Sequence, residues 1–88
     1  MPDKKNTGHV ELVGPKPGEF IIYVQEGRLV PGHTLSFADP GTNVQAQVHV
    51  LEILRAREPV AEVSSGYCLI QVAHATVLPV ERTELTWG

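Results

Sequence analysis

Eighty-eight residues, 42% of them hydrophobic and 19% charged, have the composition of one globular domain, and no stretch approaches the ~18 consecutive apolar residues of a membrane-spanning helix. Seven Lys and Arg against ten Asp and Glu leave a net charge of −3, with four basic and five acidic groups over residues 1–44 and three and five over residues 45–88. No basic stripe exists to hold a phosphate backbone, so bulk nucleic acid is not an expected partner; the single Cys68 precludes an intramolecular disulfide and suits a reducing compartment.

Residues 1–7 are polar, without the apolar centre of a signal peptide, and are expected to form a flexible segment ahead of one domain over residues 8–88 of a cytoplasmic protein. The domain is punctuated by turns. Proline presets φ near −65° at the second position of a turn and glycine accepts positive φ at the third, so Pro17-Gly18, Pro31-Gly32 and Pro40-Gly41 each predict a turn. Gly27 and Gly66 add two more. Turns this closely spaced leave room for strands alone, and the fold class predicted is all-β, a small six- or seven-stranded barrel.

In chain order, residues 9–13 form a first strand and residues 20–24, Phe-Ile-Ile-Tyr-Val, the strongest one, ending at Gly27. Arg28, Leu29 and Val30 make a short return, and residues 34–37 alternate with Leu35 and Phe37 on one face. Val44, Ala46, Val48 and Val50 then recur at period two, but Leu51 and Ile53 continue on odd numbers, which predicts a β-bulge or bend near residue 51. The rival for residues 43–57 is a helix, since residues 51–57 are good helix formers; the alternation favours strand. Residues 60–63 form a further short segment. Residues 67–73, nearly continuous in apolar side chains, predict a central strand buried on both faces, and Leu85, Thr86 and Trp87 close the sheet.

Taken together, these elements resemble the β-barrel domain that follows the GTPase domain in translation elongation and initiation factors. The resemblance rests on Val24-Gln25-Glu26-Gly27-Arg28-Leu29-Val30-Pro31-Gly32-His33-Thr34-Leu35, a strand ending in a glycine hairpin with a second glycine five residues on. It continues through Val48-His49-Val50-Leu51-Glu52-Ile53, the signature Val60-Ala61-Glu62-Val63-Ser64-Ser65-Gly66 and the buried run Leu69-Ile70-Gln71-Val72, and covers about residues 8–88. The family usually places a glycine before its last strand, where this chain has Val80-Glu81-Arg82-Thr83-Glu84. No Gly-x-x-x-x-Gly-Lys-Ser/Thr phosphate loop is present, so GTP is not an expected ligand. What the resemblance implies is the barrel and a habit of docking onto neighbours.

The residues that could carry chemistry read as structural. His9, His33, His49 and His74 lack a compact ligand spacing and predict no metal site. Cys68, between Tyr67 and Leu69, reads as a core residue rather than a nucleophile for His74, and Ser64 and Ser65 as turn formers. Arg55 and Arg57, with Arg28 across the sheet, make a candidate anion grip, against a reading as surface charge. Trp87 is either a plug of the barrel or an exposed anchor. The function expected is a non-catalytic binding module without cofactor, docking onto a partner protein or a second copy. Its candidate contacts are the edge segments Arg28, Leu29, Val30 and Trp87 together with Arg55 and Arg57. Two alternatives stand beside it, an RNA- or ribosome-associated accessory and a small enzyme with a polar pocket of His49, Arg55 and Glu62.

Overall fold

The computed structural model describes residues 6–14 and 16–88, and every element in them is a strand. These are β1 (Asn6–Val13), β2 (Glu19–Glu26), β3 (Thr34–Ala38), β4 (Gln45–Arg55), β5 (Glu58–Pro59), β6 (Gly66–Val72) and β7 (Glu84–Trp87). All pairings are antiparallel, in the order β3-β7-β1-β2-β6-β4, and β4 pairs back onto β3 to close a six-stranded barrel. β5 hangs on the outside of β4 as a seventh, two-residue strand. No helix of the described residues is long and apolar enough to cross a membrane.

Alternation builds the core. Phe20, Ile22 and Val24 of β2, Leu35 and Phe37 of β3, and Val48 and Val50 of β4 all point inward and are almost wholly excluded from solvent. The predicted slip at residue 51 is a bulge: the β4–β6 register shifts between Val50 and Glu52, so Val50 and Ile53 both face the core while Leu51 is 61% exposed. A helix over residues 43–57 is thereby excluded, because β4 must reach both β3 and β6 to close the barrel.

Several expectations are corrected. β1 begins at Asn6, so residues 6 and 7 belong to the barrel, paired with Trp87 and Thr86; residues 1–5 of the expected flexible segment, and Pro15 of the first turn, lie outside the described residues. Arg28, Leu29 and Val30 do not return along β2. Leu29 instead bridges Val63, with N–H···O distances of 2.8 and 2.9 Å in the two directions, and in residues 60–63 Val60 N–H also donates to the Ile53 carbonyl at 2.9 Å. β6 is central but buried on one face alone, with Tyr67 56% exposed on the other.

Gly18, Gly27, Gly32 and Gly66 have the positive φ expected of turn glycines, at 80°, 83°, 99° and 90°. Gly41 does not: in that turn the residue at positive φ is Asn43 (62°). The Asp39 carboxylate has organised the loop differently, accepting from Gly41 N–H (2.8 Å) and Thr42 Oγ1 (3.0 Å), while its main-chain carbonyl accepts from Asn43 N–H at 2.7 Å. Ahead of β7, Arg82 takes φ 70°, a left-handed conformation that glycine adopts more readily.

Candidate functional site

An antiparallel barrel in water normally presents polar side chains outward. Here one side does not. Leu12 of β1 is directly opposite Ile21 of β2, Ile21 opposite Leu69 of β6, Leu69 opposite Leu54 of β4, and Leu54 opposite Pro59 of β5. These cross-strand pairs make one apolar row over five strands on the outside of the barrel, half-buried at its centre and 48% exposed at Leu12.

Polar rows flank it. Two residues along the strands on one side, Glu19, Gln71 and Glu52 are successive cross-strand partners, and Gln71 Nε2 donates to Glu19 Oε2 at 3.1 Å. On the other side runs an aromatic row, His9, Tyr23 and Tyr67, with ring centroids 5.6 Å apart for the first pair and 4.8 Å, edge to face, for the second. Beyond Tyr67 stands the tip of the β4–β5 hairpin. Arg55 pairs with Glu58 across a two-residue loop, and both loop residues have positive φ, Ala56 at 54° and Arg57 at 69°. That is a type I′ turn, which ordinarily takes Asn-Gly. An alanine and an arginine there store strain of about 1–3 kcal/mol each, a sign of a segment held for a purpose other than stability.

The tip and the sheet enclose a groove of about 430 Å³ between Glu19 at one end and Arg57 at the other, floored by Ile21, Leu54, Tyr67 and Leu69. Arg55 stiffens its wall, donating from Nε to the Tyr67 carbonyl at 3.2 Å and from Nη2 to the Ser65 carbonyl. Cys68 lies among the lining residues with its side chain turned to the core, and burial pushes its thiol up to about 11 against the opposing pull of Arg55. It is therefore a protonated, unreactive thiol at neutral pH.

The three arginines have separate partners: Arg28 pairs with Glu62 at 3.4 Å, while Arg55 donates to the Tyr67 and Ser65 carbonyls. Leu29 is fully buried and Val30 half-buried, its N–H donating to His33 Nδ1 at 3.2 Å. Trp87 is 5% exposed and donates from Nε1 to the Arg28 carbonyl at 2.7 Å. Trp87 is buried, as the plug reading expects; Trp87 as an exposed anchor is corrected, since β7 is paired on both sides, and Leu29 as an edge contact is corrected, since it is buried and bridged to Val63. Nor do His49, Arg55 and Glu62 assemble a pocket. His49 and Arg55 are six residues apart on one strand, about 20 Å; His49 bonds Thr34 Oγ1 at 2.8 Å and Glu62 faces Arg28. A second, acidic hollow contains His9, Glu11, Glu81, Arg82 and Glu84, with His9 Nε2 3.1 Å from Glu11 Oε1. Among the described residues no three His, Cys, Asp or Glu side chains converge on a metal-sized space.

Sequence reasoning missed the outward row, although its signal was present. Residues 20–24 and 67–70 are apolar without alternation, and a strand of a closed barrel has only one face to bury. The chain matches no protein-family model and no curated protein sequence.

Proposed function

We propose that this chain is a docking module, a barrel of the translation-factor second-domain type that works in the cytoplasm without catalysis, GTP or another cofactor. It binds protein through the outer face of β1, β2, β6 and β4. The observation that carries the reading is the apolar row Leu12, Ile21, Leu69 and Leu54, side chains that a barrel gains nothing by turning to water. The aromatic Tyr67 beside it is the residue type that anchors interfaces, and Arg57 adds a cation at the rim.

A second reading, an RNA-associated accessory, has the aromatic row in its favour, since bases stack on exposed rings. Against it stands the acidity of the same side, with Glu11, Glu19, Glu52 and Glu84 around the rows. One experiment separates the two. A photoreactive side chain placed at Tyr67, and in a control at Gln47, which is exposed on β4 where that strand pairs with β3, is irradiated in extract from the source cells. Docking predicts a discrete protein adduct from Tyr67 and none from Gln47. A ribonuclease-sensitive adduct selects the RNA reading, and equal labelling from both positions overturns the docking face.

A further inference from the structure

The docking face is electrically unequal about its apolar midline. On one side is the acidic row of Glu19 and Glu52; on the other, Glu84 lies beside His9 at the β1 end, while past Tyr67 at the β4 end stands the cationic tip carrying Arg55 and Arg57. Glu58 sits across the hairpin from Arg55 and offsets part of that charge, so Arg57, with no ion-pair partner among the described residues, is its cationic point. This arrangement has a geometric consequence. A two-fold axis lying along the apolar row superposes each row of one copy on its mirror position in the other, so the leucine rows meet each other while each acidic row meets the opposite cationic tip. Rotation about an axis parallel to the strands would instead set each acidic row against its like.

From this we infer that the occupant of the face is a second copy of the same chain, paired as a two-fold dimer in which Glu52 of each copy, on the strand that carries the hairpin, contacts Arg57 of the other. The inference rests on the docking face proposed above and names its partner. Each copy supplies both a hairpin tip and, on the same strand across the apolar row, the Glu52 that receives the tip of the other. Hairpin strain acquires a role in the same arrangement: positive φ at Ala56 and Arg57 turns the chain back within two residues and holds Arg57 at the rim.

The size of the face sets the strength. Five strands at about 4.8 Å spacing are about 20 Å across, which is at the low end of specific interfaces, so the dimer is a weak one with a dissociation constant of order 100 μM. Equilibrium sedimentation of the whole chain from about 10 μM to about 1 mM spans that range. The expected result is a concentration-dependent shift from monomer to dimer mass. Glu52→Arg and Arg57→Glu should each weaken association by about tenfold or more, by opposing like charges, while the two substitutions together in one chain restore it to within about threefold of wild type. Arg57→Gly removes the cation while relaxing the turn, so its expected loss of dimer at unchanged or raised urea midpoint cannot be ascribed to unfolding.

A wild-type chain that stays monomeric at the highest concentration overturns the dimer, as does a double variant no better than the singles. If Tyr67 then crosslinks a different protein, the docking face stands and only its occupant was wrong; if Tyr67 crosslinks nothing, both fall.

Discussion

Substituting Gly27 tests how the barrel is fastened where its first and last strands meet. The residue has φ 83°, and a Cβ placed on it would lie 2.9 Å from Asn6 Cα and closer still to the Asn6 carboxamide. That carboxamide is a clasp: Oδ1 accepts from Arg28 N–H at 3.0 Å and Nδ2 donates to the Trp87 carbonyl at 3.1 Å. Gly27→Ala therefore carries two costs, about 1–2 kcal/mol for a left-handed alanine and about 1 kcal/mol for each hydrogen bond the displaced Asn6 gives up, or about 3–4 kcal/mol together. Gly32 supplies the internal control. Its φ is 99° but nothing lies within 4 Å of the added carbon, so Gly32→Ala carries only the conformational cost of about 1–2 kcal/mol. In urea, with a slope of about 1 kcal/mol per molar for a domain this small, the midpoints should fall by about 3–4 M and about 1–2 M respectively. In an Asn6→Ala background the extra penalty at Gly27 should shrink by about 2 kcal/mol, the clasp being already gone. Equal midpoints for Gly27→Ala and Gly32→Ala would refute the reasoning.

Trp87→Ala should destabilise the barrel by about 3–5 kcal/mol, the cost of emptying a core aromatic position, and Trp87→Phe by about 1 kcal/mol for the lost Nε1–H bond to the Arg28 carbonyl. A Trp87→Ala variant that unfolds at the wild-type midpoint would show the indole is outside the core. Cys68 predicts a pH dependence of definite sign. Its thiol loses its proton near 9.0 when unfolded and near 11 when folded, so the unfolded chain releases the proton first and stability falls as pH rises from 9 to 11. The fall is about 3 kcal/mol at most, read as the difference in denaturation free energy between wild type and Cys68→Ala across that window. A difference independent of pH would refute it.

The fold was largely legible because turn chemistry and alternation act locally. Glycines 18, 27, 32 and 66 announced their backbone, and the break of phase at Leu51 located the bulge within β4. Closure was harder, since nothing local says that β4 pairs with both β3 and β6, and without closure Trp87 and Leu29 looked like occupants of open edges. Gly41 misled for a related reason: Asp39 competes for the loop through its side chain, a contact with no sign in the Pro-Gly pair. The docking face was illegible as a unit. Leu12, Ile21, Leu54 and Leu69 are scattered over 58 positions of sequence and become a row only through register.

That the first strand pairs with the last has a consequence for how the chain is made. Asn6 lies opposite Trp87, and the closing β3–β7 contact is a single pair, Ser36 with Thr86. On a ribosome, β1 can pair with β2 early, but its other margin waits while residues up to 84–87 are synthesised at about 5–20 residues per second, a delay of several seconds. During that interval the β1–β2–β6–β4–β3 sheet has two free margins, β1 and β3, and the Leu12 row is exposed beside an unfinished core. Residues 84–87 are thus the step that commits the nascent chain. A polypeptide truncated just before Glu84 should hold nearly all the apolar residues of the barrel and yet expose the open strands that favour aggregation.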